Sequence, residues 1–219
     1  MHFLSHYYCE LPNNKPYFVA GLIIPDLSGN FSRTYNSVIK NCVIANKDSE
    51  LQLIHQGIIS HYKADKSFHN SKLFMQHLSQ AIQSFLNEGL GRKRLRLSVI
   101  AHVAVELMID RQIVLEKESI CHDFYQAIDN ANEKVLSVYF DDLSLVKEKK
   151  EFLTRFQFFK QRRFLFLFKD LEHIVFGLNR IYSSVTGIEF SEEEKSRFVN
   201  ALNNIDAVLR YSWQEILKV

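Results

Sequence analysis

The chain has 219 residues, 47% of them hydrophobic, which is enough to fill a substantial core. Seven glycines and three prolines argue against a turn-rich β-sandwich and a glycine-rich dinucleotide fold, leaving a mostly helical protein. A formal net charge of +2 is far from the strongly basic balance of a dedicated nucleic-acid binder, so none is expected as a partner.

The opening MHFLSHYYCE has no basic segment followed by an apolar one, and no run reaches the ~18 apolar residues of a transmembrane helix. Cys9, Cys42 and Cys121 are an odd number without paired spacing, so neither a disulfide framework nor a cysteine zinc site is suggested. A soluble, cytoplasmic protein is expected. With no repeat or linker, the expected organisation is one all-α domain, a helical bundle over 1–219, with 1–117 carrying the chemistry and 118–219 a helical C-terminal half.

In chain order, LPNNKP (11–16) reads as a loop and YFVAGLIIPDLSGN (17–30) as a short apolar helix broken before Pro25, followed by a weakly patterned stretch to about residue 47. From Asp48 to His69 a helix is predicted with Leu51, Ile54, Ile58 and His61 on one face. A second begins at Lys72, with Phe74, Leu78, Ile82 and Phe85 on one face, and stops at NEGLG. A third, Leu95 to Lys117, is apolar nearly all round and reads as the buried central helix, packed against the first. Residues 149–182 form one long helix or two with a bend, with Phe152, Phe156 and Phe159 as a core stripe. Ser191 and Glu194 have the spacing of a capping box.

The chemistry concentrates on two of these helices. His61, Asp65 and His69 are spaced four apart, so His61 and Asp65 can close on one ion from adjacent turns. His69 lies ~12 Å along the axis from His61 and must serve a second ion, the substrate or nothing. His102, Glu106 and Asp110 repeat the spacing on the apolar helix, where buried charges need a partner or a metal. A purely structural arrangement, with these three satisfying one another, is the alternative. His6 and Asp26 emerge from apolar segments near the N-terminus, and a set of imidazoles and carboxylates without cysteine suits manganese, iron or zinc in a hydrolytic role. Two basic clusters, Arg92, Lys93, Arg94 and Arg96, then Lys160, Arg162 and Arg163, could dock an acidic partner; solvated helix ends are the alternative.

The order MHFLSH, AGLIIPD, GIISHYKAD, IAHVAVELMID resembles the acyl carrier protein phosphodiesterase family, helical relatives of the HD-type metal phosphohydrolases. The match rests on Met1, Phe3, Leu4 and His6, on Gly21 and Asp26, and on Gly57, Ile58, His61 and Asp65. The family carries an acidic residue where this chain has His69 and an Asp-His pair at Ala101-His102. The resemblance implies an HD-like fold and hydrolysis of the phosphodiester joining 4'-phosphopantetheine to an acidic acyl carrier protein, a step of lipid metabolism. Its metal would be manganese, with iron, magnesium or zinc as alternatives, on Asp26, His61, Asp65 and His102. Glu106 and Asp110 would be alternative or supporting ligands, His6 an alternative to His102 in completing the site, and His6 and His69 the candidate proton donors. The rival readings are a phosphohydrolase of small phosphoesters or nucleotides, and a helical binding protein with a degenerate site.

Overall fold

Local capping chemistry sets several helix ends. The Ser71 hydroxyl accepts from the Phe74 amide to open a helix over Lys72–Asn87, and Gly89, at φ 72°, takes the left-handed conformation that follows it. Ser191 and Glu194 make the reciprocal capping box expected from their spacing.

The computed structural model describes residues 1–28, 38, 49–91 and 95–218. The weakly patterned stretch before Ser49, apart from residue 38, and Arg92, Lys93 and Arg94 lie outside the described residues. The helices are α1 (Phe3–Cys9), α2 (Pro16–Ser28), α3 (Ser49–His69), α4 (Lys72–Asn87), α5 (Leu97–Glu116), α6 (Glu118–Asn130), α7 (Glu133–Asp142), α8 (Val146–Arg162), α9 (Leu171–Thr186), α10 (Glu192–Leu209) and α11 (Trp213–Ile216), with a 3-10 turn at Phe164–Lys169. Every regular element among the described residues is helical, so the all-α expectation holds. No described helix is long and apolar enough to cross a membrane.

Two local expectations are corrected, and one left open between two alternatives is decided. Helix α2 runs through Pro25 to Ser28 instead of breaking before it. An internal proline costs about 3 kcal/mol, and complete burial of Leu22, Ile23 and Ile24 offsets that. On α4 the buried line is Phe74, His77, Ala81, Ser84 and Phe85, while Leu78 and Ile82 are only half-buried, because the packing partners turn the helix by about one residue. Residues 149–182 are two helices: α8 ends at Arg163, at φ 45°, and the 3-10 turn intervenes before α9.

The chain forms two compact units, neither of them a continuous half of the sequence. One comprises Met1–Ser5, Lys66–Glu118 and Leu165–Val219; the other His6–Asp65 and Ser119–Phe164. In the first, α5 packs against α4, α9 and α10. Its predicted partner α3 contributes to this unit only its last turn, which sets His69 against Glu106. In the second unit α8 packs against α7 and α2. The phenylalanine stripe of α8 is core, as read, with Phe152 stacked on Phe140 at 4.7 Å.

Candidate metal centre

Two glycines bring α2 and α3 into backbone contact. A Cβ on Gly57 would sit 2.1 Å from the Phe18 carbonyl oxygen, and one on Gly21 2.2 Å from that of Ile54, so neither position admits a side chain. One turn beyond Gly57, this close approach puts the His61 Nδ1 2.8 Å from the Leu22 carbonyl oxygen. A carbonyl only accepts, so Nδ1 carries the proton and donates, and Nε2 is left with a lone pair.

That lone pair faces carboxylates. His61 Nε2 lies 3.7 Å from Asp65 Oδ2 and 3.8 Å from Asp26 Oδ1. His6, from α1, stacks its ring on His61 at 3.8 Å between centroids and brings its Nε2 to 3.4 Å from Asp65 Oδ1. His6, His61 and Asp65 each offer a ligand atom within 4.8 Å of the others. Separations of this size match two ligands sharing one ion, since bonds of about 2.1 Å at tetrahedral angles place ligand atoms about 3.4 Å apart.

The electrostatics agree with this reading. Burial, reinforced by the adjacent His6 ring, holds the His61 imidazole well below its ordinary pKa, so it is neutral, as a ligand must be. Burial alone would raise Asp65, but opposing interactions, led by its bond with the His6 imidazole, outweigh that and keep the carboxylate ionised. Tyr62, which the sequence reading did not single out, is pushed up to about 12 by burial and by Asp26 and Asp65. Its phenol therefore keeps its proton at neutral pH.

The other candidate ligands gather elsewhere. His69 and His102 converge on Glu106 Oε1 at 2.8 and 3.1 Å, and the Met1 amino group lies 2.9 Å from the same oxygen. Burial would raise Glu106, but the amino group and the two imidazoles hold its carboxyl well below the usual range. His102 thus groups with His69 and Glu106, whereas His6, read as a proton donor, stands with His61 and Asp65. Asp110 caps α1: its wholly buried carboxylate accepts from the Leu4 and Ser5 amides at 3.1 and 2.8 Å and from the Ser5 hydroxyl at 2.6 Å, and pairs with His2 at 2.8 Å.

Of the basic residues, Arg96 and Arg162 are exposed, and Arg162 lies over the Phe158 ring. Lys160 is 3.9 Å from Glu133, and Arg163 is paired with Asp129. The chain matches no family model, no curated protein and no solved structure.

The Leu22 carbonyl and the Gly21–Gly57 contact escaped the sequence reading as elements of the site. The available signal was a glycine in each of the two helices, four residues before His61 in one and five before Asp26 in the other.

Proposed function

We propose that the chain is a metal-dependent phosphodiesterase whose ion is held by His6, His61 and Asp65, with Asp26 as a further oxygen donor. One observation carries this reading: the His61 Nε2 lone pair, its tautomer set by the Leu22 carbonyl, faces the oxygens of Asp65 and Asp26 at 3.7 and 3.8 Å. Acceptors facing acceptors repel unless a cation lies between them. The residues present fit a divalent ion of the manganese, iron or zinc class, since two imidazoles and one or two carboxylates satisfy both its charge and its preference for nitrogen and oxygen.

When bound, such an ion lowers the pKa of a water and neutralises charge on phosphoryl oxygens. His61 holds its ligand nitrogen in register through Leu22, and the carboxylates of Asp65 and Asp26 balance the cation. Tyr62, whose phenol keeps its proton beside Asp26 and Asp65, is the group we assign as proton donor to the leaving alkoxide.

The substrate assigned to this reading is the 4'-phosphopantetheine ester of an acidic acyl carrier protein, on the strength of the ordered motifs ending in His6, Asp26 and Asp65. Exposed Arg96 and Arg162 add cations suited to an acidic surface. The test is metal analysis of the purified chain with hydrolysis of holo carrier protein beside a panel of small phosphodiesters and nucleotides. Release of phosphopantetheine by the manganese-loaded chain supports the reading. Turnover of the small esters alone transfers it to the phosphohydrolase alternative, and absence of both metal uptake and turnover overturns it.

A further inference from the structure

Glu106 is the polar interruption of a buried stretch of α5, where Ala104, Val105, Leu107 and Met108 are almost wholly inaccessible. Its side chain is 12% exposed, against 31% for His69 and 38% for His102. The cluster is therefore anchored by a carboxylate in the protein and open to solvent on its imidazole side. Phe74 braces both rings, lying 5.3 Å from His69 and edge-on to His102 at 5.2 Å, and Phe68 meets His69 edge-on at 5.3 Å. Aromatic contacts of this kind lock rotamers, as a preorganised ligand set requires.

We propose that His69, His102 and Glu106 form a second, separate binding site for a divalent transition-metal ion of the zinc class. The inference stands independently of the phosphodiesterase reading and of the first centre. One nitrogen from each imidazole and one carboxylate oxygen lie within 4.8 Å of one another, the span of a single ion's ligand shell. In the structure both Nε2 atoms point at Glu106 Oε1; an ion between them requires each imidazole to present its Nε2 lone pair, with its proton on Nδ1. The Met1 amino group at 2.9 Å is the cation this ion must displace from Oε1, and a double charge at about 2 Å attracts a carboxylate more strongly than a single charge farther out. Two nitrogens and one oxygen favour zinc, nickel or copper over manganese or magnesium, whereas the first centre has a second carboxylate within reach.

The experiment uses the whole chain stripped by chelator and carrying Asp65→Asn, which disables the first centre. It is titrated with zinc against a chromophoric chelator and, separately, with manganese. The expected result is about one zinc bound per chain, no retained manganese, and at least a tenfold loss of zinc affinity on adding His102→Gln or His69→Gln. Both histidines are about one-third exposed, so glutamine should leave the helical circular dichroism intact. Should either variant unfold, cobalt loaded into the Asp65→Asn chain decides the matter. An intense visible band of imidazole-ligated cobalt supports the site, and a spectrum identical to free cobalt overturns it. Zinc binding that is absent from Asp65→Asn, or unchanged by His69→Gln and His102→Gln together, also overturns the site. Failure of the phosphodiesterase reading would register separately, as absent turnover with this zinc titration unaltered.

Discussion

The His61 ring donates from Nδ1 to the Leu22 carbonyl oxygen at 2.8 Å, and that bond exists because Gly57 and Gly21 let the two backbones touch. Gly57→Ala would place a methyl group 2.1 Å from the Phe18 carbonyl oxygen, so the helices must separate. The expected outcome is a loss of about 1–3 kcal/mol in urea denaturation and a 10- to 100-fold loss of manganese affinity as His61 loses its orienting partner. Unchanged metal affinity in a destabilised Gly57→Ala chain would show that the crossing supports the fold and not the centre.

Asp65→Asn keeps the shape of the side chain and removes its charge. Asp65 is 29% exposed in its side chain and flanked by two imidazoles, so the variant should fold, with a helical circular dichroism spectrum like that of the parent. It should fail to retain manganese and lose turnover by at least about a hundredfold. Full manganese content with full turnover would return the His61–Asp65 ridge to a packing role.

Stability of the metal-free protein should fall with acid earlier than carboxylates alone dictate. His61 is held neutral in the folded chain by burial and by His6, while in the unfolded chain it titrates near 6.5. Below that pH the unfolded state takes up a proton that the folded state refuses, so the contribution is intact above about 6.5 and is lost as pH falls. His55 and His77, also held down by burial, act with the same sign, and Asp65 adds a further loss below its ordinary 3.8. Urea denaturation in chelator between about pH 7 and pH 5 should show a slope approaching 1.4 kcal/mol per pH unit from His61, with His55 and His77 adding to it in the same direction. His61→Gln should remove about one proton from that slope, and an unchanged slope would contradict the neutral ring.

Asp110→Ala leaves the Leu4 and Ser5 amides at the start of α1 without their acceptor. Both are buried, so the cost should be about 2–4 kcal/mol in thermal or urea unfolding. A loss below about 0.5 kcal/mol would mean that α1 finds another cap.

Sequence periodicity made the local half of this protein legible. Leu51, Ile54, Ile58 and His61 form the buried ridge of α3 that their spacing predicts, and the His61–Asp65 pair follows from adjacent turns of that helix. Ser191, Glu194 and Gly89 marked helix ends because caps act over three or four residues.

Tertiary packing decided which ligands meet. The spacing of His102, Glu106 and Asp110 suggested one functional ridge, yet Asp110 is spent on the first turn of α1 while Glu106 and His102 meet His69 from α3. Equivalent positions along one helix face acquire different partners, because each turn meets a different neighbour and none is specified by the helical period. Pro25 shows the same limit: its local preference is to end a helix, and burial of the preceding residues overrides it. The His61 tautomer depends on a backbone carbonyl 39 positions away, which carries no side-chain signature at all. Short-range hydrogen bonding is written in neighbouring residues, whereas convergence on an ion is a property of the helix crossings, which bury many side chains together and exist only once the chain has folded.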